Sequence, residues 1–141
     1  AYPPALKAIF QADMILIGPG SLYTSILPNL LVPDLTQALY HAKAPKVYIA
    51  NLATQAGETS GYDIADHVSA IRQHVSEIKL DVVLANDNFS LSEEELGLTS
   101  LVKLADIEDA RLVTADLIEE PRPWRHDSRK LAAAVMSLLE V

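Results

Sequence analysis

The sequence contains no cysteine, so disulfide staples and thiolate chemistry are excluded and redox state sets no constraint on its compartment. Basic residues are scarce. Against 19 Asp and Glu stand only 11 Lys and Arg, a formal charge of −8, and no stretch gathers Lys or Arg with aromatics. That composition argues against nucleic acid and anionic membrane as partners. No apolar run approaches the roughly 20 residues needed to cross a bilayer, and no secretory leader pattern is visible. A cytoplasmic protein is the default expectation. Repeats and low-complexity linkers are also missing. Apolar side chains are abundant, at 50% of 141 residues, so disorder is excluded and residues 1–141 read as a single α/β domain with a real core.

The most informative stretch is Met14-Ile-Leu-Ile-Gly-Pro-Gly-Ser-Leu-Tyr-Thr-Ser-Ile-Leu-Pro28. Four consecutive apolar residues, Met14 to Ile17, suit a strand covered on both faces, as in a parallel sheet. Gly18-Pro19-Gly20 then imposes a tight turn in which backbone amides can approach an anion, because glycine has no side chain to hold it away. Ser21, Thr24 and Ser25 add hydroxyls. A short helix from Ser21 to Leu27 would aim its unpaired first-turn amides at the carboxyl end of the sheet, where open α/β sheets bind ligands. The loop matches neither the Gly-x-Gly-x-x-Gly fingerprint nor the Walker pattern with its lysine, and strand, glycine turn and helix also occur without any ligand.

The chain opens on helix-like residues Pro3 to Gln11 with Leu6, Ile9 and Phe10 at helical spacing, expected to pack at the sheet edge. Because no strand precedes it, the domain is expected to be the later part of a longer protein. Pro28 to Pro33, two prolines bracketing Leu30, Leu31 and Val32, reads as extended, either tucked on the core or forming a contact between copies. A helix from Pro33 with Asp34 in its first turn and a buried strand Lys46 to Asn51 repeat the loop, helix and strand order of a parallel sheet.

Residues 51–62, Asn51-Leu-Ala-Thr-Gln-Ala-Gly-Glu-Thr-Ser-Gly-Tyr62, are longer than the ~2 to 6 residues of an ordinary βα loop. A long polar loop at this rim reads as a site, set beside Gly18 to Ser25; its plainer reading is a surface loop with Ser60 and Asp63 as a capping pair. The helix Asp63 to Glu77 carries Ile64, Val68, Ile71, Val75 and Ile78 on one stripe. His67 and His74 are roughly 10 Å apart along it, too far for one metal ion, and Asp63 is placed to pair with His67. Leu80 to Asn86 is a third strand, with Asn86 matching Asn51. Ser92 and Glu95 form a capping box, and Glu93 to Glu95 read as solvated first-turn carboxylates rather than a metal cluster. Arg111 to Ile118 is a fourth, edge strand, and Glu119 to Trp124 a proline-broken connection. The last helix, capped by Asp127 or Ser128, carries Leu131, Val135, Leu138 and Leu139. Arg125-His126-Asp127 resembles a catalytic cluster on paper, yet a cap is the simpler role for Asp127.

The motifs Gly18 to Val32 and Asn51 to Tyr62, continuing to Asp66-His67-Val68, with Arg125-His-Asp127 and Lys130-Leu-Ala132 at the end, resemble the bacterial gluconeogenesis factor (YvcK-like) family. That family is a branch of the superfamily containing 2-phospho-L-lactate transferase (CofD-like). The resemblance implies a Rossmann-like three-layer α/β/α fold with a mainly parallel sheet. It also implies a nucleotide-containing ligand, a UDP-sugar such as UDP-N-acetylglucosamine, and a regulatory role in central carbon metabolism and cell-wall or cell-shape control. The alternative it carries is a phosphotransferase acting on a nucleotide-linked substrate, with Mg2+ supplied in the full-length protein. Gly18, Gly20, Ser21, Thr24 and Ser25 correspond to the loop near the transferred phosphate, and Asn51, Thr54, Gln55, Glu58 and Thr59 to the sugar- or ribose-binding motif. The family's amino-terminal glycine-rich loop and acidic metal position have no counterpart in this sequence. A homo-oligomer is expected.

Overall fold

Four short parallel strands form the centre of the computed structural model, which describes residues 1–139. They are β1 (Ile15–Ile17), β2 (Lys46–Ile49), β3 (Val82–Asn86) and β4 (Arg111–Ala115), hydrogen-bonded in the order β1-β2-β3-β4. Ile17 pairs with Tyr48, Tyr48 with Val83 and Val83 with Leu112, so the carboxyl ends of the strands share one rim.

Alternate residues of these apolar strands face opposite ways, and both faces are covered at β2 and β3; at the edge strand β1 the expected cover is one-sided, since Ile15 and Ile17 are buried while Leu16 on the other face is exposed. Ile15, Ile17, Tyr48 and Val83 pack with Ile64, Val68 and Ile71 of one helix and Leu39 of another. Those helices are α4 (Ile64–His74) and α3 (Pro33–His41), with α1 (Pro3–Gln11) joining them through Ile9. Val47 and Leu84 face the other side, against Leu117, Ile118, Leu131 and Val135 of α6 (Ser128–Ser137), and Leu138 at its C-cap. The result is the expected Rossmann-like α/β architecture, helices on both faces of a parallel sheet.

Several local expectations are corrected. Ser21 to Leu27 is not one α-helix: Leu22–Ile26 is a π-helical turn that runs into α2 (Leu27–Leu30). Pro28 lies in the first turn of α2, where its missing N–H costs nothing, so this segment is helical rather than extended. Leu30 is buried by that turn, leaving Leu31 as the exposed leucine of the segment. The α4 cap is Asp63 with Asp66, not Ser60 with Asp63. Asp63 Oδ1 accepts from the Asp66 amide at 2.9 Å, and Asp66 Oδ2 accepts from the Asp63 amide at 3.0 Å. His67 meets Asp63 through the backbone, with Nδ1 2.8 Å from the carbonyl oxygen rather than the carboxylate. Its helix ends at His74, although Val75 and Ile78 remain buried as the stripe requires.

Strand β4 stops at Ala115, and the chain does not connect loosely to the last helix. Instead β5 (Ile118–Glu119) and β6 (Arg122–His126) form an antiparallel hairpin. Proline is tolerated in such a two-stranded ribbon wherever its missing N–H would have faced away from the partner strand. The Asp116 carboxylate turns the chain here, accepting from Lys130 Nζ at 2.8 Å and from the Asn88 side chain and Ile118 amide, each at 3.2 Å. Two residues placed on apolar stripes are instead exposed: Phe10 on α1 and Leu139 after α6. The acidic α5 (Glu93–Leu96) has the expected Ser92 and Glu95 capping box.

Candidate functional site

The rim at the carboxyl ends of β1 and β2 carries both unusual loops, and hydrogen bonds lock them together. Asn51, just past β2, donates through Nδ2 to the Gly20 carbonyl at 3.0 Å. Gln55 donates through Nε2 to Ser21 Oγ at 2.9 Å. A third tie lies further along, where the Tyr23 and Tyr62 hydroxyls meet at 2.9 Å. Asn51 is itself held from below by the hydroxyl of fully buried Tyr48, which donates to Oδ1 at 3.2 Å. Burial pushes the Tyr48 hydroxyl well above its ordinary pKa, so it stays protonated and a donor.

Glycine is required where the first loop leaves β1. Gly18 has φ of 98°, and a Cβ there would lie 3.0 Å from the Ile49 carbonyl oxygen. At Gly20 an added Cβ would stand 3.2 Å from Ser25 Cβ, so this turn lies close on the following helix. Ser21 caps the π-helical turn through its carbonyl, which accepts from the Ser25 and Ile26 amides, both at 2.9 Å. Among the described residues, the amides of Ser21, Leu22, Tyr23 and Thr24 donate to no protein acceptor. First-turn N–H groups point back along the helix axis, here toward Gly20 and Ser21, and carry the partial positive charge of the helix end.

Between the loops lies a cleft of about 310 Å³ lined by Pro19, Gly20, Ser21, Asn51, Leu52, Ala53, Thr54, Gln55, Trp124 and His126. Not one of these is acidic or permanently cationic, in a chain with 19 carboxylates. An anion seated here is lined by neutral groups, with no carboxylate against it.

Five of the ten residues singled out from sequence line this cleft: Gly20, Ser21, Asn51, Thr54 and Gln55. Gly18 and Ser25 line a separate, mainly apolar cavity with Ile15, Ile17, Leu30 and Leu39. Thr24 is exposed on the helix, and Glu58 is half-buried away from the cleft lining. Thr59 is buried, and its Oγ1 accepts from the Gln55 amide at 2.8 Å, which folds the second loop back on itself. The Thr54 amide is likewise taken up, by the Ser100 carbonyl at 2.9 Å. The second loop thus offers side chains to the cleft, while the first offers backbone.

Trp124 and His126 come from β6; from sequence Trp124 draws no notice, and His126 is noticed only within Arg125-His126-Asp127 and not counted among the site residues. The sequence signal was the Arg125-His126-Asp127 cluster, in which a cap is the simpler role for Asp127; that cap holds, with Oδ1 accepting from the Arg129 and Lys130 amides at 3.0 Å each. Burial pulls the His126 imidazole below its ordinary pKa, against the Ala50 carbonyl beside it, which favours the charged form. The ring is therefore neutral at pH 7.

The 2-phospho-L-lactate transferase CofD family model matches residues 1–138. The chain belongs to this family. Its CofD-like relatives include the gluconeogenesis factor of Bacillus subtilis, 40% identical over 149 residues that cover 98% of this chain and 46% of that protein. The gluconeogenesis factor of Listeria monocytogenes is 53% identical over 85 residues, covering 60% of this chain and 26% of its own length. A crystal structure of a Bacillus halodurans protein, described as a member of the UPF0052 family, superposes with a TM-score of 0.85 at 36% identity. That match covers 94% of this chain and 46% of the other. The chain thus spans less than half the length of these CofD-like relatives. Among the described residues no three His, Asp or Glu side chains stand close enough to hold a metal ion. No helix among them is long and apolar enough to cross a membrane.

Proposed function

We propose that the cleft binds a nucleotide sugar, of which UDP-N-acetylglucosamine is the first candidate, and that the protein acts as a regulator of the gluconeogenesis factor type. The observation that carries this reading is the convergence of both family motifs on one uncharged cleft, fixed by the Asn51 to Gly20 and Gln55 to Ser21 hydrogen bonds. The diphosphate belongs on the free amides following Gly20, the sugar or ribose near Asn51, Thr54 and Gln55. The names of the relatives support a role in central carbon metabolism. Calorimetry of the protein with UDP-N-acetylglucosamine is the test: saturable heat supports the reading, and no heat at millimolar ligand overturns it. The phosphotransferase alternative draws on the family model's name and on a neutral imidazole, His126, in the same cleft as Ser21. Turnover of a nucleotide-linked substrate in the presence of Mg2+ would favour it over pure binding.

A further inference from the structure

The β5–β6 hairpin has no place in the two-loop site inferred from sequence, yet it forms the cleft's third wall. Trp124 keeps 60% of its surface exposed while lining the cleft, and an aromatic ring left open beside a polar cavity is a ready platform for another ring. His126 Nε2 is closed to solvent and has no hydrogen-bond partner, and neither has Oε1 of Gln55, another cleft-lining residue. An orphaned buried polar atom is costly, and the terminal torsions of His and Gln turn in broad wells, so small rotations would bring both atoms to donors placed in the cleft. On the first loop the free Ser21 amide is a donor, which suits a phosphate oxygen; Gln55 Oε1 is an acceptor, and the neutral His126 ring holds one lone pair. The first loop, with Gln55 held on it, and the hairpin, with the His126 lone pair beside the Trp124 ring, therefore suit different ends of one ligand.

We propose that Trp124 and His126 are positioning residues for the ring-bearing end of the ligand: Trp124 stacks against a sugar or base ring, and His126 Nε2 pairs with a hydroxyl or N–H on it. The hairpin reaches this place because Lys130 of α6 donates to Asp116 Oδ2 at 2.8 Å and to the Ile118 carbonyl at 2.9 Å, tying β5 to the last helix.

This inference rests on the nucleotide-sugar reading, and the experiment separates the two. Calorimetry and tryptophan fluorescence are run on the protein and on Trp124→Ala, Trp124→Phe, His126→Ala and His126→Gln, with UDP-N-acetylglucosamine, UDP and N-acetylglucosamine 1-phosphate as probes. Trp124 is the only tryptophan in the chain, so a ligand stacked on it changes an emission component that Trp124→Phe removes. Trp124→Ala is expected to raise Kd about tenfold, the size of a lost stacking contact, while Trp124→Phe stays within about threefold. His126→Ala is expected to weaken binding about fivefold, and His126→Gln, which restores a polar tip at similar reach, to recover most of it. Thermal melts of each variant separate these losses from unfolding, and exposed Trp124 is the substitution least able to disturb the core. A loss for UDP with none for N-acetylglucosamine 1-phosphate assigns the base to the Trp124 wall, and the reverse assigns the sugar. If the unsubstituted protein binds none of the probes, the nucleotide-sugar reading itself is overturned. If it binds them with unchanged emission and the Trp124→Ala and His126→Ala Kd values equal its own, only the hairpin assignment fails.

Discussion

Asn51 is the residue whose removal tests the architecture of the site most directly. Its Nδ2 holds the Gly20 carbonyl at 3.0 Å, and its Oδ1 takes the hydroxyl of Tyr48, a fully buried side chain, at 3.2 Å. In Asn51→Ala both bonds vanish, but the two partners fare differently. Gly20 is only half-buried and its carbonyl can turn to water, so that loss is about 0.5–1 kcal/mol. The Tyr48 hydroxyl keeps no partner and little access to solvent, adding about 1–3 kcal/mol for a stranded buried donor. The expected cost is therefore about 2–3 kcal/mol in urea or guanidinium unfolding. Tyr48→Phe alone should cost about 1 kcal/mol, and in that background Asn51→Ala should cost about 1–2 kcal/mol less than it does alone, because no hydroxyl remains to be stranded. Additive losses, with Asn51→Ala equally damaging in both backgrounds, would refute the claim that Tyr48 braces the rim through Asn51. Ligand affinity should fall in the single variant as well, since the Gly20 turn loses its anchor.

The first glycine of the loop should be less replaceable than the second. Gly18→Ala places a side chain at a φ of 98° and 3.0 Å from a backbone oxygen, for a loss of about 2 kcal/mol or more, whereas Gly20→Ala needs only a few tenths of an ångström from Ser25 and should cost about 1 kcal/mol; equal midpoints on chemical unfolding would count against this. Asp127→Ala should lose about 1 kcal/mol through the α6 cap, measurable by thermal unfolding, and Lys130→Met should instead weaken ligand binding by freeing the hairpin. Acid should destabilise the fold through His126. Its folded pKa lies below the ordinary 6.5, so the contribution is fully present above about pH 6.5 and is lost as pH falls through the folded value. The charged neighbours in sequence are otherwise engaged, Arg125 with Glu119 at 3.4 Å and Asp127 in the cap. Unfolding midpoints at pH 8 and pH 5 should therefore converge in His126→Gln, and an unchanged gap would assign the acid loss to other groups.

The parts legible in the sequence were those whose causes are local. Lys46 to Ile49 announces a strand buried on both faces because every residue is apolar or aliphatic-stemmed, and the same signal in Met14 to Ile17 finds the parallel strand but not its edge position, which leaves Leu16 exposed. The α4 stripe from Ile64 to Ile78 shows itself by spacing alone, and the Ser92 and Glu95 box by two residues three apart. Where the same local signals compete, they mislead. Pro28 says helix breaker or helix starter depending on whether its N–H would be needed, and only the preceding π-helical turn decides that. Asp63 could be the end of one box or the start of the next, and its extended φ and ψ settle it as the cap.

The site divides along the same line. Gly20 and Ser21 follow a strand at once, so their position at the rim is dictated by connectivity, and Asn51 inherits its position from β2 in the same way. Nothing local brings Trp124 and His126 to them. That contact depends on Asp116 turning the chain off β4 and on Lys130 pinning the hairpin to α6, a chain of side-chain pairings spread over three elements. Polarity was no better guide within the second loop: Thr59 and Asn51, as polar as Gln55, spend their hydrogen bonds on the protein itself. What distinguishes a residue that supports the loop from one that can receive a ligand is whether its donors and acceptors are already satisfied, and that is a property of the folded neighbourhood rather than of the residue type. On that criterion the unspent groups of the cleft-lining residues include the Ser21 amide, Gln55 Oε1 and His126 Nε2, so substitutions at Gln55 and His126 should alter ligand affinity more than stability, and substitutions at Thr59 and Asn51 should do the opposite.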